Sequence, residues 1–262
     1  MEVTWLDSNS WLISVGGQRI LVDPWLVGEL VFGQQAWLFK GEHPQSRPLP
    51  EAIDLILLSQ GLEDHAHPPT LAALDHGIPV VGSPAAAKVA TDLGYSQVTA
   101  LTHGETFTLN QRVTIKAVPG SPLGPTLVEN GYILRDVESG HSLFYEPHGF
   151  HRPELKQEGP VDVVITPVLD LALPLVGPII RGQRGALELV DWLQPQVVLP
   201  TADAGDVTYS GMLITWLKAI GSPQDLQSAI HGKGMTTRVL APTVGQPIDL
   251  GLVVRQPQPA PL

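Results

Sequence analysis

The chain has 262 residues, of which 43% are apolar and 16% charged, with 26 Gly and 25 Pro. That composition excludes a disordered chain and argues for many short elements joined by tight turns rather than a helical bundle. A net charge of -11, with the 15 Lys and Arg scattered, excludes a nucleic-acid surface, and the absence of Cys excludes disulfides, thiolate metal sites and a cysteine nucleophile.

Residues 3–6 and 10–15 read as strands around Asp7-Ser8-Asn9, Gly16-Gly17 as a hairpin turn, and 18–22 as the return strand, ended by Asp23-Pro24-Trp25. Residues 26–50 have no period; with Phe32, Trp37 and Phe39 they form an aromatic loop that packs over something. The apolar run 53–58 is a buried strand that leads into Ser59-Gln60-Gly61-Leu62-Glu63-Asp64-His65. Pro68-Pro69-Thr70 opens a helix to about His76, 78–81 is a strand, Ser83-Pro84 starts a helix ending near Gly94, and 98–101 is a further strand.

The second half repeats this order. Strands 106–109 and 112–118 pair across Asn110-Gln111, and 131–135 pairs with 142–145 across Ser139-Gly140. A buried strand at 161–166, a helix at 185–193, a strand at 196–199, helices at 210–220 and 224–231 and a closing strand at 239–241 follow. The segment 168–180 is unusually apolar for a loop; it lines a pocket, docks a partner or lies buried beneath the aromatic 25–39 loop. Two meander-plus-α/β halves predict two sheets face to face with helices outside, a four-layer αββα sandwich mixing α+β and α/β character. A single domain over 1–254 and a frayed Pro/Gln-rich tail over 255–262 are expected. No apolar run reaches the roughly 18 residues of a membrane span and no signal peptide is visible, so the expected location is cytoplasmic.

Acidic and imidazole groups just past a strand end usually sit in a cleft, which singles out Asp64 and His65. Glu146-Pro147-His148-Gly149-Phe150-His151, after the 142–145 strand, is the second cluster. In the functional reading, Asp64, His65 and Glu146 hold one divalent metal, zinc or manganese, and leave a position for a water nucleophile. His148, pointing into the same cleft, completes a catalytic set of Asp64, His65, Glu146 and His148. In the structural reading there is no metal: Asp64 caps the turn and His65 packs against it. Asp23 is expected to accept hydrogen bonds beside the site, and His67 to be an exposed helix-start residue rather than a replacement ligand. No nucleophile elbow, P-loop or dinucleotide fingerprint is present.

Four places resemble the metallo-β-lactamase fold superfamily, and most of all its branch of predicted metal-dependent hydrolases that includes ascorbate-6-phosphate lactonase. They are Val3-Thr4-Trp5-Leu6 with Ile20-Leu21-Val22-Asp23-Pro24-Trp25, then Asp54-Leu55-Ile56-Leu57-Leu58-Ser59 with Asp64-His65, then Ser142-Leu143-Phe144-Tyr145-Glu146, and finally Leu173-Pro174 with Pro195-Gln196-Val197-Val198-Leu199-Pro200-Thr201. The resemblance implies a His-x-His-x-Asp-His motif at 60–65, but Gln60 and Leu62 stand where its first two His residues would be. The third His falls near Pro119-Gly120-Ser121-Pro122, the bridging Asp corresponds to Glu146, and the last His to Ala202 beside Asp203. The motif is therefore a degenerate one, with a mostly lost dinuclear site. It implies a hydrolase-like protein acting on an ester, lactone or phosphoester of small-molecule size through a reduced site. The alternative is a non-catalytic module that binds a small molecule or a protein on the same fold.

Overall fold

The computed structural model describes residues 1–45, 47–123, 126–174 and 177–255. Apolar alternation makes a three-strand meander of β1 (Glu2–Trp5), β2 (Trp11–Val15) and β3 (Gln18–Val22), turned between β2 and β3 by Gly16 and Gly17, both at positive φ. After the short strand β4 (Lys40–Glu42), the chain runs β5 (Leu55–Leu58), α1 (Pro68–Ala73), β6 (Val80–Gly82), α2 (Pro84–Asp92), β7 (Val98–Ala100). Strands β3, β5, β6 and β7 pair in parallel. Ser83 caps α2 by accepting from the Ala86 amide, with Pro84 in the first turn.

The second half builds a matching sheet. β8 (Thr106–Leu109), β9 (Val113–Leu123), β10 (Leu127–Asp136) and β11 (Ser142–Tyr145) are antiparallel neighbours. β12 (Val163–Pro167) then pairs in parallel with β11. Next come β13 (Asp170–Leu173), β14 (Gly177–Ile180), α3 (Gln183–Leu193), β15 (Val197–Thr201), β16 (Thr208–Ser210), α4 (Met212–Trp216), β17 (Lys218–Ile220), α5 (Pro223–Gly232), β18 (Arg238–Val239) and β19 (Pro247–Asp249). The two large sheets have orders β19-β1-β2-β3-β5-β6-β7 and β18-β15-β12-β11-β10-β9-β8.

Between the sheets lies one apolar layer, including Trp11, Ile13, Leu55, Leu57, Ile115, Tyr132, Tyr145, Ile165 and Leu199. On the outer face of the first sheet, Leu71, Ala86 and Ala90 of α1 and α2 pack on Leu21, Ile56 and Leu58. On the outer face of the second, Leu189, Leu193, Leu226 and Ile230 of α3 and α5 pack on Phe144, Val164 and Val198. This is the αββα sandwich expected from the sequence. Polar ties cross its middle: Trp11 Nε1 donates to Thr201 Oγ1 at 2.9 Å, and Tyr132 donates to the Leu58 carbonyl at 2.9 Å. Among the described residues no helix is long and apolar enough to cross a membrane.

Several expected elements differ. The 210–220 helix is a single turn, α4, after which 218–220 becomes β17 and pairs with β13. The apolar 168–180 segment is not a loop: β13 and β14 form a hairpin, and with β17 they make a third sheet in the order β14-β13-β17. Leu175 and Val176 of that segment lie outside the described residues. Pairing with β13 satisfies the backbone groups of β17, a tertiary gain that local helix propensity does not register. Strand β19 was not expected; its Pro247 is tolerated because β19 is an edge strand. The aromatic loop is anchored by β4, which pairs with β16. Of the expected tail, Arg255 is bound to Asp162 and the Val161 carbonyl, and 256–262 lie outside the described residues.

The first loop is fixed by Asp7, buried and at φ 83. Its carboxylate accepts from the Arg47 guanidinium and from the Asp206 amide at 2.9 Å, with His43 Nδ1 at 3.4 Å. Burial pushes this carboxyl up, but His43, the amide and Arg47 outweigh it and hold its pKa below the ordinary value of 3.8. A carboxyl with a depressed folded pKa contributes stability above its unfolded pKa and loses it as pH falls through the folded one. Asp7→Asn should therefore cost about 2 kcal/mol at pH 7. In urea titrations the gap to wild type should close as pH drops below 3.8.

Candidate functional site

The site forms where β3, β5 and β11 end on one rim of the sandwich. Asp23 follows β3 in the left-handed region, φ 42, and its side chain is buried. Its Oδ1 accepts from the Ser59 amide at 2.7 Å; its Oδ2 accepts from the Ser59 and Tyr145 hydroxyls, the latter at 2.7 Å. His65 Nδ1 lies 2.7 Å from the same Oδ2, so Nδ1–H donates to Asp23 and Nε2 is turned outward. Asp64 Oδ2 stands 3.1 Å from that Nε2. The turn carrying both residues is closed by the His65 and Ala66 amides donating to the Leu62 carbonyl at 3.0 and 2.8 Å.

His148 comes from the opposite sheet. The Glu146 carboxylate accepts from the His148 amide at 3.2 Å and the Phe150 amide at 2.8 Å, curling the loop after β11. Gly149 allows that curl: it sits at φ 74, and a Cβ there would collide with the Arg181 carbonyl. The His148 carbonyl accepts from the Arg181 amide at 2.9 Å. The ring is thereby delivered to His65, centroids 5.0 Å apart. Ligand atoms of Asp64, His65 and His148 all lie within 4.8 Å of one another. Glu146 is not in this trio. Its carboxylate, expected as a ligand, is occupied with the amides of its own loop.

Charge is set by these neighbours. Burial alone depresses His65, but Asp64 and Asp23 overcome it and push its pKa up to about 10. Burial would raise Asp64; the charge and hydrogen bond of His65, helped by His148, hold it below its usual value. Burial and the His65 charge push His148 down to about 3. Burial lifts Glu146 to about 8 against the pull of its loop amides. Without a cation, the trio at neutral pH is a carboxylate, an imidazolium and a neutral imidazole.

Gln60, at the position where the resemblance implies the motif's first His, points at His148, Nε2 lying 2.7 Å from Nδ1. An amide N–H can donate only to a bare Nδ1, which leaves the proton on Nε2. A half-turn of the amide presents its carbonyl to Nδ1–H instead and frees Nε2 as a ligand. Leu62, at the position where the resemblance implies the second His, lines a cavity of about 300 Å³ over Asp64 and His148. Ala202 lines it as well, while Asp203 Oδ1 accepts from the Ala204 amide in its own turn.

His67 is not the exposed residue expected at a helix start. It is buried, Nδ1 3.0 Å from Thr70 Oγ1 and Nε2 3.2 Å from the Glu29 carbonyl, and burial pushes its pKa down to about 4. His151 packs edge-on against Trp192, away from the trio. The partnership of Asp23 with Tyr145 across the sheets, and of Gln60 with His148, had no signal in sequence spacing.

A family model described as Beta-lactamase superfamily domain matches residues 2–202. A UPF0173 metal-dependent hydrolase of Halobacterium salinarum, found in two strains, is 27% identical over 219 residues, 76% of this chain and 82% of the relative. Among solved structures, an isothiocyanate hydrolase from Delia radicum gut bacteria superposes with a TM-score of 0.70 at 16% identity, covering 95% of this chain and 99% of that one. Igni18, a metallo hydrolase from Ignicoccus hospitalis, gives a TM-score of 0.66 at 17% identity, covering 94% and 97%. These structures support the fold; the narrower likeness to the ascorbate-6-phosphate lactonase branch rests on the motifs alone.

Asp23→Asn removes a buried charge from four donors on three residues and should cost about 3 kcal/mol in chemical denaturation. It should also abolish a downfield Nδ1–H proton resonance assigned to His65. Unchanged stability with that resonance retained would show that Asp23 does not hold the ring.

Proposed function

The chain belongs to the beta-lactamase superfamily, and on that footing we propose that it is a metal-dependent hydrolase with one divalent cation, zinc or manganese, held by Asp64, His65 and His148. One observation carries this reading: where the trio converges, Asp64 Oδ1 is buried without a hydrogen-bond partner, and buried His65 Nε2 has only Asp64 Oδ2 beside it, at 3.1 Å and out of line for a hydrogen bond. Buried polar atoms without partners are costly, and two nitrogens with a carboxylate oxygen are a donor set suited to zinc. The likeness to the Halobacterium UPF0173 metal-dependent hydrolase supports it.

A bound cation supplies Lewis acidity, which polarises a carbonyl or phosphoryl oxygen and lowers the pKa of water. The chain's own residues do the rest. Asp23 fixes the His65 tautomer so that Nε2 faces Asp64. Asp64 presents two oxygens, so it can ligate through one and orient a water molecule with the other. Gln60 orients the His148 ring, and Glu146 keeps the loop that carries it curled. Three protein ligands leave a position open, as hydrolytic sites require. The substrate classes in view are esters, lactones and phosphoesters of small-molecule size.

Chelator-treated protein titrated with zinc and with manganese in a calorimeter should bind one ion per chain. Asp64→Ala and His148→Ala should each weaken binding by about a hundredfold or more, and Gln60→Leu by about tenfold, the range for a group that orients a ligand. Glu146→Gln should bind within about threefold of wild type if its role is confined to the loop. Sub-stoichiometric metal after purification and no binding on titration would sink the reading and leave the non-catalytic binding module in its place.

A further inference from the structure

The cavity over Asp64 and His148 is chemically one-sided. Leu30, Phe32, Phe39, Leu171, Leu213 and Leu217 supply much of its wall. Its polar contributions come from Ser8, Asn9, Tyr209 and the two site residues. Among the described residues lining it, none is Lys or Arg, and Asp64 is the single carboxylate. At roughly 30 Å³ per water-sized group, about 300 Å³ holds a chain of some ten such groups.

Two features argue that this wall exists for a ligand. Leu30, Phe32 and Phe39 join Trp25 and Val207 in a small apolar cluster, but among the described residues Leu171, Leu213 and Leu217 belong to no core cluster, so the interior does not account for these three. The single-turn helix α4 buries none of its residues, yet turns Leu213 and Ile214 to the cavity. Apolar side chains gathered around a polar spot without a core to join are the ordinary make-up of a small-molecule pocket.

Charge then selects among substrate classes. A phosphate monoester carries up to two negative charges and needs donors on several oxygens. Here a divalent cation already half-neutralised by Asp64 would face it alone, with no guanidinium or ammonium to assist. We infer that the site takes an uncharged carboxylic ester, open or cyclic, whose apolar arm fills this cavity, so that chain length and not charge sets specificity. This rests on the hydrolase reading above. In the reaction water adds to the acyl carbon and the acyl C–O bond breaks; the carbon keeps the hydroxyl and the departing oxygen takes the proton.

Two arms test it. In the first, 1-octanol is titrated into metal-free protein in a calorimeter, where saturable one-to-one binding is expected. Leu213→Lys and Leu171→Lys, on α4 and β13, should each weaken it at least about tenfold, since each methylene kept from the wall forfeits about fourfold. Ile220→Lys, at an exposed position not lining the cavity, should bind as wild type does. In the second, zinc-loaded protein is given p-nitrophenyl acetate, hexanoate and phosphate. The hexanoate should exceed the acetate in kcat/KM by at least about tenfold, and the phosphate should not turn over. Absence of saturable octanol binding, binding indifferent to both lysine variants, or preference for acetate or phosphate overturns the inference. If zinc binds and none of the three esters is cleaved, the hydrolase reading fails instead, and the octanol arm still decides whether the cavity takes an apolar chain.

Discussion

One buried carboxylate organises this rim of the molecule. Asp23 receives a main-chain amide and a hydroxyl from Ser59, an imidazole N–H from His65 and a phenol from Tyr145. Ser59 lies just past β5 of the first sheet, and Tyr145 ends β11 of the second. A charge this far from water is tolerable only when its lone pairs are satisfied, so each donor is needed by the others. Burial keeps the Tyr145 phenol protonated and therefore able to donate. The separation of the two sheets at this end is thus set by hydrogen-bond lengths, whereas elsewhere it is set by apolar packing together with the Trp11–Thr201 and Tyr132–Leu58 ties.

From that anchor the division of labour follows. Strand ends supply rigid positions, and short loops supply the chemistry. Each loop has its own local device. A carbonyl at Leu62 closes the turn bearing Asp64 and His65, and the Glu146 carboxylate closes the one bearing His148. The cavity wall is an addition to the two large sheets, made by the small sheet, by α4 and by the aromatic loop that β4 and β16 hold in place.

Most of the scaffold was legible because its signals are local. Alternating or continuous apolar runs marked the strands of both large sheets apart from β19, and a Ser-Pro pair marked the start of α2. What escaped depends on partners distant in the chain. Residues 218–220 read as helix because nothing nearby reveals that Asp170 to Ala172 will pair with them. In the site, Asp64, His65 and His148 could be singled out because acidic and imidazole groups past strand ends are conspicuous. The engagement of Glu146 could not, since it turns on amides that become available only once Gly149 takes its left-handed conformation. His67 misled for a similar reason: its cover comes from the 26–30 loop, some forty residues earlier.

The close passage of Gly149 beneath Arg181 makes the loop that carries His148 and the wall of the cavity a single mechanical piece. Arg181 directly follows β14, whose Ile179 and Ile180 face the cavity, and its amide holds the His148 carbonyl. No slack exists at the crossing, because a side chain of any size at 149 would strike the Arg181 backbone. An occupant that shifts β14 must therefore shift His148 with it. Thermodynamic reciprocity then applies: by whatever factor a seated chain alters the grip on a cation, the cation alters the grip on the chain by the same factor.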